Sequence, residues 1–544
     1  MEMINLSLPA TNQFASDYLQ QTTNIQSFFH YQYNKPEAYK ERIAELRKRA
    51  FPRQELASHI QEFMAKYPTA PQVDSSIEKL KEPESVVVIG GQQAGILTGP
   101  LYTIHKVISI VALAEQKEKE LGIPVIPVFW IAGEDHDFPE VNHIFIPAED
   151  KVEKSTIPQK VLQKKMVSDI QLDKASFQQW IQDIFREFGE TEHTGKLINF
   201  IDQALEQSYS FVDIFATIIM ELFKEKGLLI VDSGNVGMRK LEKTIFQQQI
   251  ENQKMITESL LNQQTKVQEA NYPLAIESKE SAANLFYYDS NYNERILLEF
   301  DSETERFVGK NGAVVFSKDQ LLELAECNPE KLSNNVVTRP LTQEWLFPNL
   351  AFIAGPGEIS YWAELKEIFE RFSIKMPPIV PRLNLTFMDR NIESDLQELG
   401  ISLQSVLTKG TTEYKDQFFS SVKDEELDHY FDDAKNALMT QYELIEQRLS
   451  EKDKSLLPLL KKNENLIMKQ LDFMVGRVDA ARRQKYDFEL KKYDRIDMAL
   501  RPNGLPQERV WNIFQYLNLY GIDFVSRIME LDFVFDGTHK LIKL

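Results

Sequence analysis

Ser85-Val-Val-Val-Ile-Gly-Gly-Gln-Gln-Ala-Gly95 decides the fold: a run of apolar, β-branched residues leads directly into a glycine-rich turn. An apolar run without polar alternation is typical of a strand buried on both faces, as in a parallel sheet covered by helices. Residues 103–120 then carry apolar residues at helical spacing, and residues 125–132 form a second apolar run. Strand, helix and strand in this order predict a doubly wound, Rossmann-like α/β sheet.

Further apolar runs of the same kind follow later in the chain. They are Leu228–Asp232, Leu350–Ala354 and Pro378–Val380. Two stretches interrupt the series. Residues 140–225 carry helical patterns, and residues 270–325 carry short alternating runs separated by Asn and Gly, which favour a small antiparallel sheet. We therefore predict a Rossmann-like catalytic core over residues 1–385 that contains both connecting insertions.

Beyond the last of these runs, the apolar residues change to a 4-3 spacing on a charged background. This spacing runs over residues 427–449 and 460–481, with a short polar link between them. Two such stretches predict an antiparallel coiled-coil hairpin within a helical domain over 386–500, although an ordinary helical bundle would share the pattern. Residues 501–544 regain aromatic side chains, and we expect this C-terminal segment to pack back on the core.

The predicted hairpin has a consequence for assembly. An isolated pair of helices buries little apolar surface, so its apolar stripes need a partner surface. We therefore expect a homodimer through the coiled coil. Asn463 lies in the predicted seam, where a polar residue sets the register at some cost in stability.

Charge and composition argue against several classes of protein. The 544 residues include 62 Lys and Arg against 82 Asp and Glu, a net charge of −20. Nucleic acid is therefore not expected as a partner, because its phosphates need a basic face. The single cysteine, Cys327, excludes a disulfide framework. The N-terminal residues do not resemble a secretory signal, and no window approaches the roughly 18 apolar residues of a membrane span. We expect a cytoplasmic protein with no membrane partner.

Ligands of open α/β sheets bind beyond the carboxyl ends of the strands, so the residues after each apolar run are the site candidates. The first turn offers Gly90, Gly91, Gln92 and Gln93 for substrate binding. Its glycines leave backbone amides free to bind a phosphate or a carboxylate. The turn is not GxGxxG and carries no Walker lysine, and a mere tight turn would also explain the glycines.

The second apolar run ends in a cluster of ionisable residues. Asp135, His136 and Asp137 are candidate catalytic groups, because such a cluster can orient an amine and move protons. We predict no metal ion there, since adjacent side chains point in different directions and no His-x₃-His spacing supports them. A solvated loop is the alternative interpretation.

Polar residues near the other strand ends complete the candidate substrate site. They are Thr98, Tyr102, Asn335, Arg339, Glu358, Tyr361 and Arg382. Each of the two arginines could bind a carboxylate or a phosphate through two parallel hydrogen bonds. Buried ion pairs with Glu344 or Glu358 are the alternative use of these guanidinium groups.

The start of the predicted crossover helix allows a further comparison. Gly99, Leu101 and His105 match part of the Gly-x-Leu-His-x-Gly-His motif of class I aminoacyl-tRNA synthetases and related nucleotidyltransferases. The match suggests a triphosphate-handling ancestry, although no clear Lys-Met-Ser-Lys-Ser loop accompanies it. We therefore assign His105 to the catalytic candidates and expect it, with Lys106, to face an activating phosphate.

Several long motifs carry a family resemblance. They are Gly-Gly-Gln-Gln-Ala-Gly-Ile-Leu-Thr-Gly-Pro-Leu-Tyr-Thr-Ile-His-Lys over 90–106, Pro-Val-Phe-Trp-Ile-Ala-Gly-Glu-Asp-His-Asp over 127–137, Ser-Asn-Asn-Val-Val-Thr-Arg-Pro over 333–340, Phe-Ile-Ala-Gly-Pro-Gly-Glu-Ile over 352–359 and Pro-Gln-Glu-Arg-Val-Trp-Asn over 506–512. In these motifs the chain closely resembles the cysteine-adding enzymes, or cysteine ligases, of bacillithiol biosynthesis. The resemblance extends over the whole chain.

The resemblance implies a Rossmann-like core, a coiled coil used for dimerisation, and a cytosolic ligase that adds L-cysteine to the free amine of glucosaminyl-malate. We expect ATP or ADP as the nucleotide that activates the carboxyl group, with Lys106 and Trp511 as candidates for binding it. On this interpretation Asp135 or His136 orients or deprotonates the amine. The glycine turn holds an anion or oxyanion, and one of the two arginines grips the malate carboxylates.

Two other functions stay open at this point. A nucleotidyltransferase-like enzyme with another small acceptor would release pyrophosphate from ATP without using glucosaminyl-malate. A non-catalytic nucleotide- or sugar-binding scaffold would bind a ligand without turnover and recruit partners through its coiled coil. Ionisable residues at several strand ends favour an enzyme over a scaffold.

Overall fold

A parallel five-stranded sheet forms the centre of the computed structural model, which describes residues 1–148, 151–161, 163–289 and 294–544. The strands of the chain are β1 (Glu2–Leu6), β2 (Val86–Gln92), β3 (Val125–Ile131), β4 (His143–Ala148), β5 (Lys151–Thr156), β6 (Leu229–Asp232), β7 (Ala282–Asp289), β8 (Glu294–Asp301), β9 (Arg306–Gly309), β10 (Val315–Ser317), β11 (Leu332–Asn334), β12 (Asn349–Ala354), β13 (Ile379–Pro381), β14 (Leu385–Met388) and β15 (His539–Lys543).

Helices lie between these strands along the chain. They are α1 (Gln13–Leu19), α2 (Thr23–Gln26), α3 (Pro36–Leu46), α4 (Arg53–Met64), α5 (Pro71–Leu80), α6 (Tyr102–Leu121), α7 (Phe138–Val141), α8 (Lys174–Phe188), α9 (Thr194–Gln207), α10 (Phe211–Phe223), α11 (Val236–Glu251), α12 (Gln253–Glu269), α13 (Lys318–Cys327), α14 (Thr338–Leu346), α15 (Pro356–Ala363), α16 (Lys366–Arg371), α17 (Arg390–Leu399), α18 (Leu403–Lys409), α19 (Thr412–Ser421), α20 (Glu425–Lys452), α21 (Leu457–Lys485), α22 (Asp487–Leu500), α23 (Ile513–Tyr520) and α24 (Phe524–Ile528).

The central sheet has the strand order β13-β12-β2-β3-β6, and all of its neighbouring pairs are parallel. Every residue of β3 is buried, as a strand covered on both faces requires. Helix α6 connects β2 to β3 and packs on both. The predicted apolar runs coincide with these five strands to within two residues at either end, so the Rossmann-like α/β prediction is confirmed.

The strand order reverses beside β2. From β2 the chain moves outward through β3 to β6, and it then returns to add β12 and β13 on the opposite side of β2. Such a reversal opens a crevice at the carboxyl ends of the two strands that meet there. Here these ends are the glycine turn after β2 and the Gly355 turn after β12.

The two insertions differ in structure. The first contains the β4–β5 hairpin and helices α8, α9 and α10; residues 149, 150 and 162 of this stretch lie outside the described residues. The second contains an antiparallel sheet of order β10-β9-β8-β7-β11, as its alternating runs predict, and residues 290–293 lie outside the described residues. Its last strand, β11, follows residue 325 and so extends the sheet beyond the predicted range.

The chain divides into two compact units, Met1–Phe387 with Leu505–Leu544, and Met388–Gly504. The C-terminal segment belongs to the first unit, where β15 pairs antiparallel with β1 from Glu2↔Lys543 to Leu6↔His539. Met3, Ile4 and Leu6 of β1 are partly buried and the centre of β15 is buried, so the pairing removes apolar surface from water. The first and last strands of the chain are therefore neighbours.

The second unit is helical, and α20 and α21 form its hairpin. The Tyr442 hydroxyl donates a hydrogen bond to Asn463 Oδ1 on the facing helix, which places the seam asparagine where the spacing predicts it. Lys435 Nζ and Asp472 Oδ1 are 2.7 Å apart across the same pair. The predicted coiled-coil hairpin is confirmed. Across the described ranges, no helix combines the length and the apolar character needed to cross a membrane.

Candidate active site

A cavity of about 620 Å³ lies at the carboxyl ends of β2, β3, β12 and β13. Thirteen of the site residues predicted from the sequence line this cavity: Gly91, Gln92, Gln93, Tyr102, Lys106, Asp135, His136, Asp137, Asn335, Arg339, Glu358, Tyr361 and Arg382. The strand ends of a doubly wound sheet converge, and this is why residues up to about 290 positions apart meet here.

Four of the predicted site residues do not line this cavity: Gly90, Thr98, His105 and Trp511. A Cβ atom on Gly90 would come within 3.0 Å of Ile110 Cδ1 and 3.2 Å of the Ile353 carbonyl oxygen, so this glycine allows close packing of α6 on the sheet. Trp511 is 1 % exposed. Thr98 and His105 are fully buried.

Asp135 is held in place by its neighbours after β3. Gln93 Nε2 donates to Asp135 Oδ2 at 2.7 Å and to Glu140 Oε2 at 2.9 Å, while the His136 amide donates to Asp135 Oδ1 at 2.8 Å. Burial, and then the charge of Arg295, lower the pKa of His136, so this imidazole is neutral at pH 7. A carboxylate and a neutral imidazole side by side can bind an amine and accept its proton.

Arg339 is a partly buried guanidinium without a carboxylate partner among the described residues. Its Nη2 donates to the Tyr361 hydroxyl at 2.5 Å, and its buried Nε has no hydrogen-bond partner in the part of the chain that the structure describes. Among the residues that the structure describes, no carboxylate oxygen lies within 4.0 Å of its nitrogens. A partly desolvated cation in this state favours an anionic ligand.

Asn335 lines the cavity and also stabilises a turn. Its Oδ1 accepts hydrogen bonds from the amides of Val337 at 2.9 Å and Thr338 at 3.1 Å, which closes the turn that leads into α14. Its Nδ2 donates to Asn284 Oδ1 at 3.1 Å. The turn thereby sets the position from which Arg339 enters the cavity.

Lys106 lies in the wall between the two central strand ends. Its Nζ donates to the Gly91 carbonyl oxygen at 2.8 Å and to Glu358 Oε2, which also accepts from the Gly355 amide at 2.7 Å. Burial lowers the pKa of Lys106 to about 8 against the opposing effect of Glu358. Lys106 therefore joins the β2 and β12 turns, and its charge is already paired.

Arg382 is also paired, but with neither of the two glutamates expected. Its Nη1 and Nη2 each donate to one oxygen of Glu508 at 2.7 Å, and His105 Nδ1 lies 3.1 Å from Glu508 Oε2. Burial alone would raise the pKa of Glu508, but Arg382 and His105 hold it well below its usual range. The structure thus places His105 in a buried charge cluster with the C-terminal segment.

The same segment clamps the turn that precedes α6. Leu97, Thr98 and Gly99 all have positive φ, of 49°, 72° and 68°, a conformation that only the glycine adopts without strain. Asn512 Nδ2 donates to the Leu97 carbonyl oxygen at 2.8 Å and to that of Gly99 at 2.6 Å. These bonds stabilise the strained turn and so the start of α6, which carries Tyr102 and Lys106.

Sequence reasoning missed several residues of the cavity wall. They include Phe286, Arg295, Asn334, Gly355 and Arg509. Glu134, which belongs to the ionisable cluster predicted after the second apolar run, also lines the cavity. Asn334 and Gly355 stand inside motifs already singled out, and Arg509 lies in the 506–512 motif. Phe286 and Arg295 come from the inserted antiparallel sheet, where nothing in the local pattern marks them. In the described part of the chain, no three His, Cys, Asp or Glu side chains are grouped so as to hold a metal ion.

Comparison with known proteins gives two family matches. The family model described as "Bacillithiol biosynthesis BshC, N-terminal Rossmann-like domain" matches residues 1–383, and the model described as "Bacillithiol biosynthesis BshC, C-terminal coiled-coil domain" matches residues 385–544. Relatives named "Putative cysteine ligase BshC" are 43 % identical in Geobacillus sp. (strain WCH70), 42 % in Anoxybacillus flavithermus (strain DSM 21510 / WK1) and 40 % in Bacillus cereus (strain AH187). Each match covers 100 % of both chains.

Proposed function

The chain belongs to the bacillithiol biosynthesis BshC family, and on that premise we propose that it is a ligase joining the carboxyl group of L-cysteine to the amine of glucosaminyl-malate in the cytoplasm. One observation in particular carries this proposal. The cavity contains the guanidinium of Arg339, which has no carboxylate partner among the described residues, together with the neighbouring residues Asp135 and His136. The proposed acceptor has carboxylates at one end and an amine at the other. Its site therefore needs an anion-binding group for the first and a proton acceptor for the second.

The chemistry assigns a role to each part of the cavity. Asp135 binds the ammonium form of the amine, and His136, neutral at pH 7, accepts the proton that must leave before the nitrogen attacks the cysteine carboxyl carbon. The new C–N bond replaces the bond from that carbon to its activated oxygen, which departs as the leaving group. The backbone amides of the turn that follows β2 suit the oxyanion that develops at the carbon before the oxygen leaves. Arg339 binds the malate group. Arg382 is less suited to this task, because Glu508 already neutralises it.

A nucleotide that activates the cysteine carboxyl group is part of the proposal, with ATP as its source. The residues nominated to bind it do not fit a common site: Trp511 is buried away from the cavity, and Lys106 is paired with Glu358. The roles assigned to Asp135, His136 and Arg339 do not depend on where the nucleotide binds. Mass spectrometry of the purified protein with cysteine and glucosaminyl-malate, with and without ATP, tests the function. An amide product that forms only with ATP supports the proposal, and no product under either condition contradicts it.

The Asp135→Asn variant is expected to lower kcat for amide formation by about 100- to 1,000-fold, because the amide cannot stabilise an ammonium or assist its deprotonation. The thermal unfolding midpoint should change little, since asparagine can still accept the bond from Gln93 and loses only the partly buried bond from the His136 amide. Glu140→Gln is the matched control: Glu140 accepts from the same Gln93 nitrogen but does not line the cavity. Normal turnover in Asp135→Asn, or an equal loss in Glu140→Gln, would count against the role of Asp135.

We further propose that the hairpin of α20 and α21 forms a homodimer. No residue of α20 is fully buried, and large apolar side chains remain exposed along the hairpin. They include Met439, Leu444, Leu459, Leu466 and Phe473. A two-helix hairpin cannot cover such residues by itself, and a second copy of the same hairpin can.

Sedimentation velocity tests the dimer. The Leu466→Glu/Phe473→Glu variant is expected to sediment as a monomer at concentrations at which the wild type is dimeric, because both side chains are more than half exposed in the single chain. Tyr209→Glu, at a residue 63 % exposed in the other unit, is the control and should leave the dimer intact. A double variant that remains dimeric would place the interface elsewhere.

A further inference from the structure

We propose that Arg295 is a second carboxylate-binding residue of the cavity, and that Arg295 and Arg339 each bind one of the two carboxylates of the malate group. The inference rests on the proposed function and extends it to substrate specificity. Arg295 belongs to β8 of the inserted sheet, so the proposal also gives that insertion a place in the active site.

The Arg295 side chain is fixed in one orientation. Its Nε donates to Ser333 Oγ at 2.9 Å, and its Nη2 donates to the Asn334 carbonyl oxygen. Its guanidinium carbon lies 3.9 Å from the centre of the Phe286 ring, within the range of a cation–π contact. These contacts hold the group at the cavity wall without neutralising its charge.

The nearest carboxylate does not satisfy Arg295. Glu134 Oε2 lies 3.8 Å from Arg295 Nη2, beyond hydrogen-bond distance, and the same oxygen accepts a bond of 2.5 Å from Arg239 Nη2. Asp135 and Asp137 act on Arg295 only at longer range, since neither forms an ion pair with it within 4.0 Å among the described residues. Arg382 of the same cavity differs from Arg295, because its two hydrogen bonds to Glu508 pair its charge with a carboxylate.

The carboxylate nearest to Arg295 is engaged by another buried arginine. Arg239 lies between Glu134 and Glu242, with its Nη2 bonded to Glu134 Oε2 and its Nη1 3.3 Å from Glu242 Oε2. Arg239 therefore holds Glu134 away from Arg295, and among the described residues no carboxylate is within hydrogen-bond distance of the Arg295 guanidinium.

Arg295 is buried and Arg339 is partly buried, and both line the cavity without a carboxylate in hydrogen-bond distance among the described residues, so each favours an anionic ligand. Arg339 enters from α14 and Arg295 from β8, so each offers its own donors and neither can replace the other. A ligand with one carboxylate would leave one of them unsatisfied. A dicarboxylate such as malate satisfies both, because guanidinium and carboxylate groups form strong, charge-assisted hydrogen bonds.

The test compares two acceptors with Arg295→Gln. With glucosaminyl-malate the KM of the variant is expected to rise about 10- to 30-fold, whereas with methyl glucosaminide, which has the amine but no carboxylate, kcat/KM should stay within about twofold of the wild type. Arg306→Gln on the neighbouring strand β9, where the arginine is exposed, is the control and should not change KM for either acceptor. An unchanged KM for glucosaminyl-malate, or an equal loss with both acceptors, would overturn the inference.

Isothermal titration with glucosaminyl-malate separates this inference from the proposed function. Suppose that the wild type binds glucosaminyl-malate in the titration but forms no amide when cysteine and ATP are added, and that Arg295→Gln binds it at least about tenfold more weakly. The inference then stands and the ligase proposal fails. Equal affinities in the two proteins overturn the inference alone. Should Arg295→Gln unfold at a lower temperature, Arg295→Lys supplies the same comparison, because lysine keeps the charge but loses the two-pronged donor geometry.

Discussion

Replacing Arg339 by alanine is expected to lower kcat/KM for glucosaminyl-malate by about 100- to 1,000-fold. Arg339 is a partly buried cation of the cavity whose side chain donates, among the described residues, only to the Tyr361 hydroxyl, so its remaining donors are available to the substrate. Loss of one partner from a buried charge pair costs about 2–5 kcal/mol of binding free energy, and about 1.4 kcal/mol corresponds to a factor of ten. Steady-state kinetics with a product-specific mass assay measures the change.

The loss should fall mainly on KM, because the carboxylate is bound in the ground state and in the transition state alike. Arg47→Ala is the matched control: Arg47 pairs with Glu84, and both side chains are more than half exposed. That variant should retain wild-type kinetics, since exposed ion pairs contribute little. Wild-type kinetics in Arg339→Ala would remove the anion site from the proposed function.

The Glu508→Gln variant is expected to lower the free energy of unfolding by about 3–5 kcal/mol, because it leaves the buried Arg382 without its carboxylate. Glutamine keeps only one acceptor oxygen, so the contacts with Arg382 Nη1, Arg382 Nη2 and His105 Nδ1 cannot all be kept. Urea denaturation at pH 7 measures the loss. Glu84→Gln, which breaks the exposed pair with Arg47, should change the free energy of unfolding by less than about 1 kcal/mol.

The pH dependence of this loss follows from the pKa of Glu508. Because the folded-state pKa is lowered, the carboxylate stabilises the fold above the unfolded-state value near 4.5 and loses that effect as the pH falls towards the folded-state value. The wild type and Glu508→Gln should therefore differ most at neutral pH and converge in acid. The Arg382→Met/Glu508→Leu double variant should recover much of the stability at pH 7, since two apolar side chains leave no unpaired charge. If Glu508→Gln is as stable as the wild type, the cluster of Glu508, Arg382 and His105 does not attach the C-terminal segment to the core.

The sequence pattern was sufficient to predict the central sheet and the grouping of Asp135, His136 and Arg339. Continuous apolar runs mark strands buried on both faces, and the geometry of a doubly wound sheet brings their carboxyl ends together. Pairings between distant segments have no such local signal. Glu508 is 403 positions from His105, and nothing in either neighbourhood indicates that one meets the other. Arg295 stands in an alternating strand, where a lone arginine resembles an ordinary exposed residue.

The assignment of Arg382 illustrates the same limit. Its place after β13 correctly predicted a side chain at the cavity, because the carboxyl ends of β2, β3, β12 and β13 meet there. Whether it is free to bind a ligand depends on the C-terminal segment, which joins the sheet only through tertiary contacts. The local sequence around an arginine does not show whether its charge is already paired.

The pairing of β1 with β15 bears on how the protein is made. A ribosome that adds about 5–20 residues per second needs roughly 30–110 s to synthesise these 544 residues, so β15 becomes available to β1 only after about that time. Glu508 and Asn512, which hold Arg382 and the turn before α6, are also translated long after the strands that form the cavity. The nascent chain therefore lacks the supports of its active site until these residues have been made, and a stop codon before Glu508 would remove them together with β15.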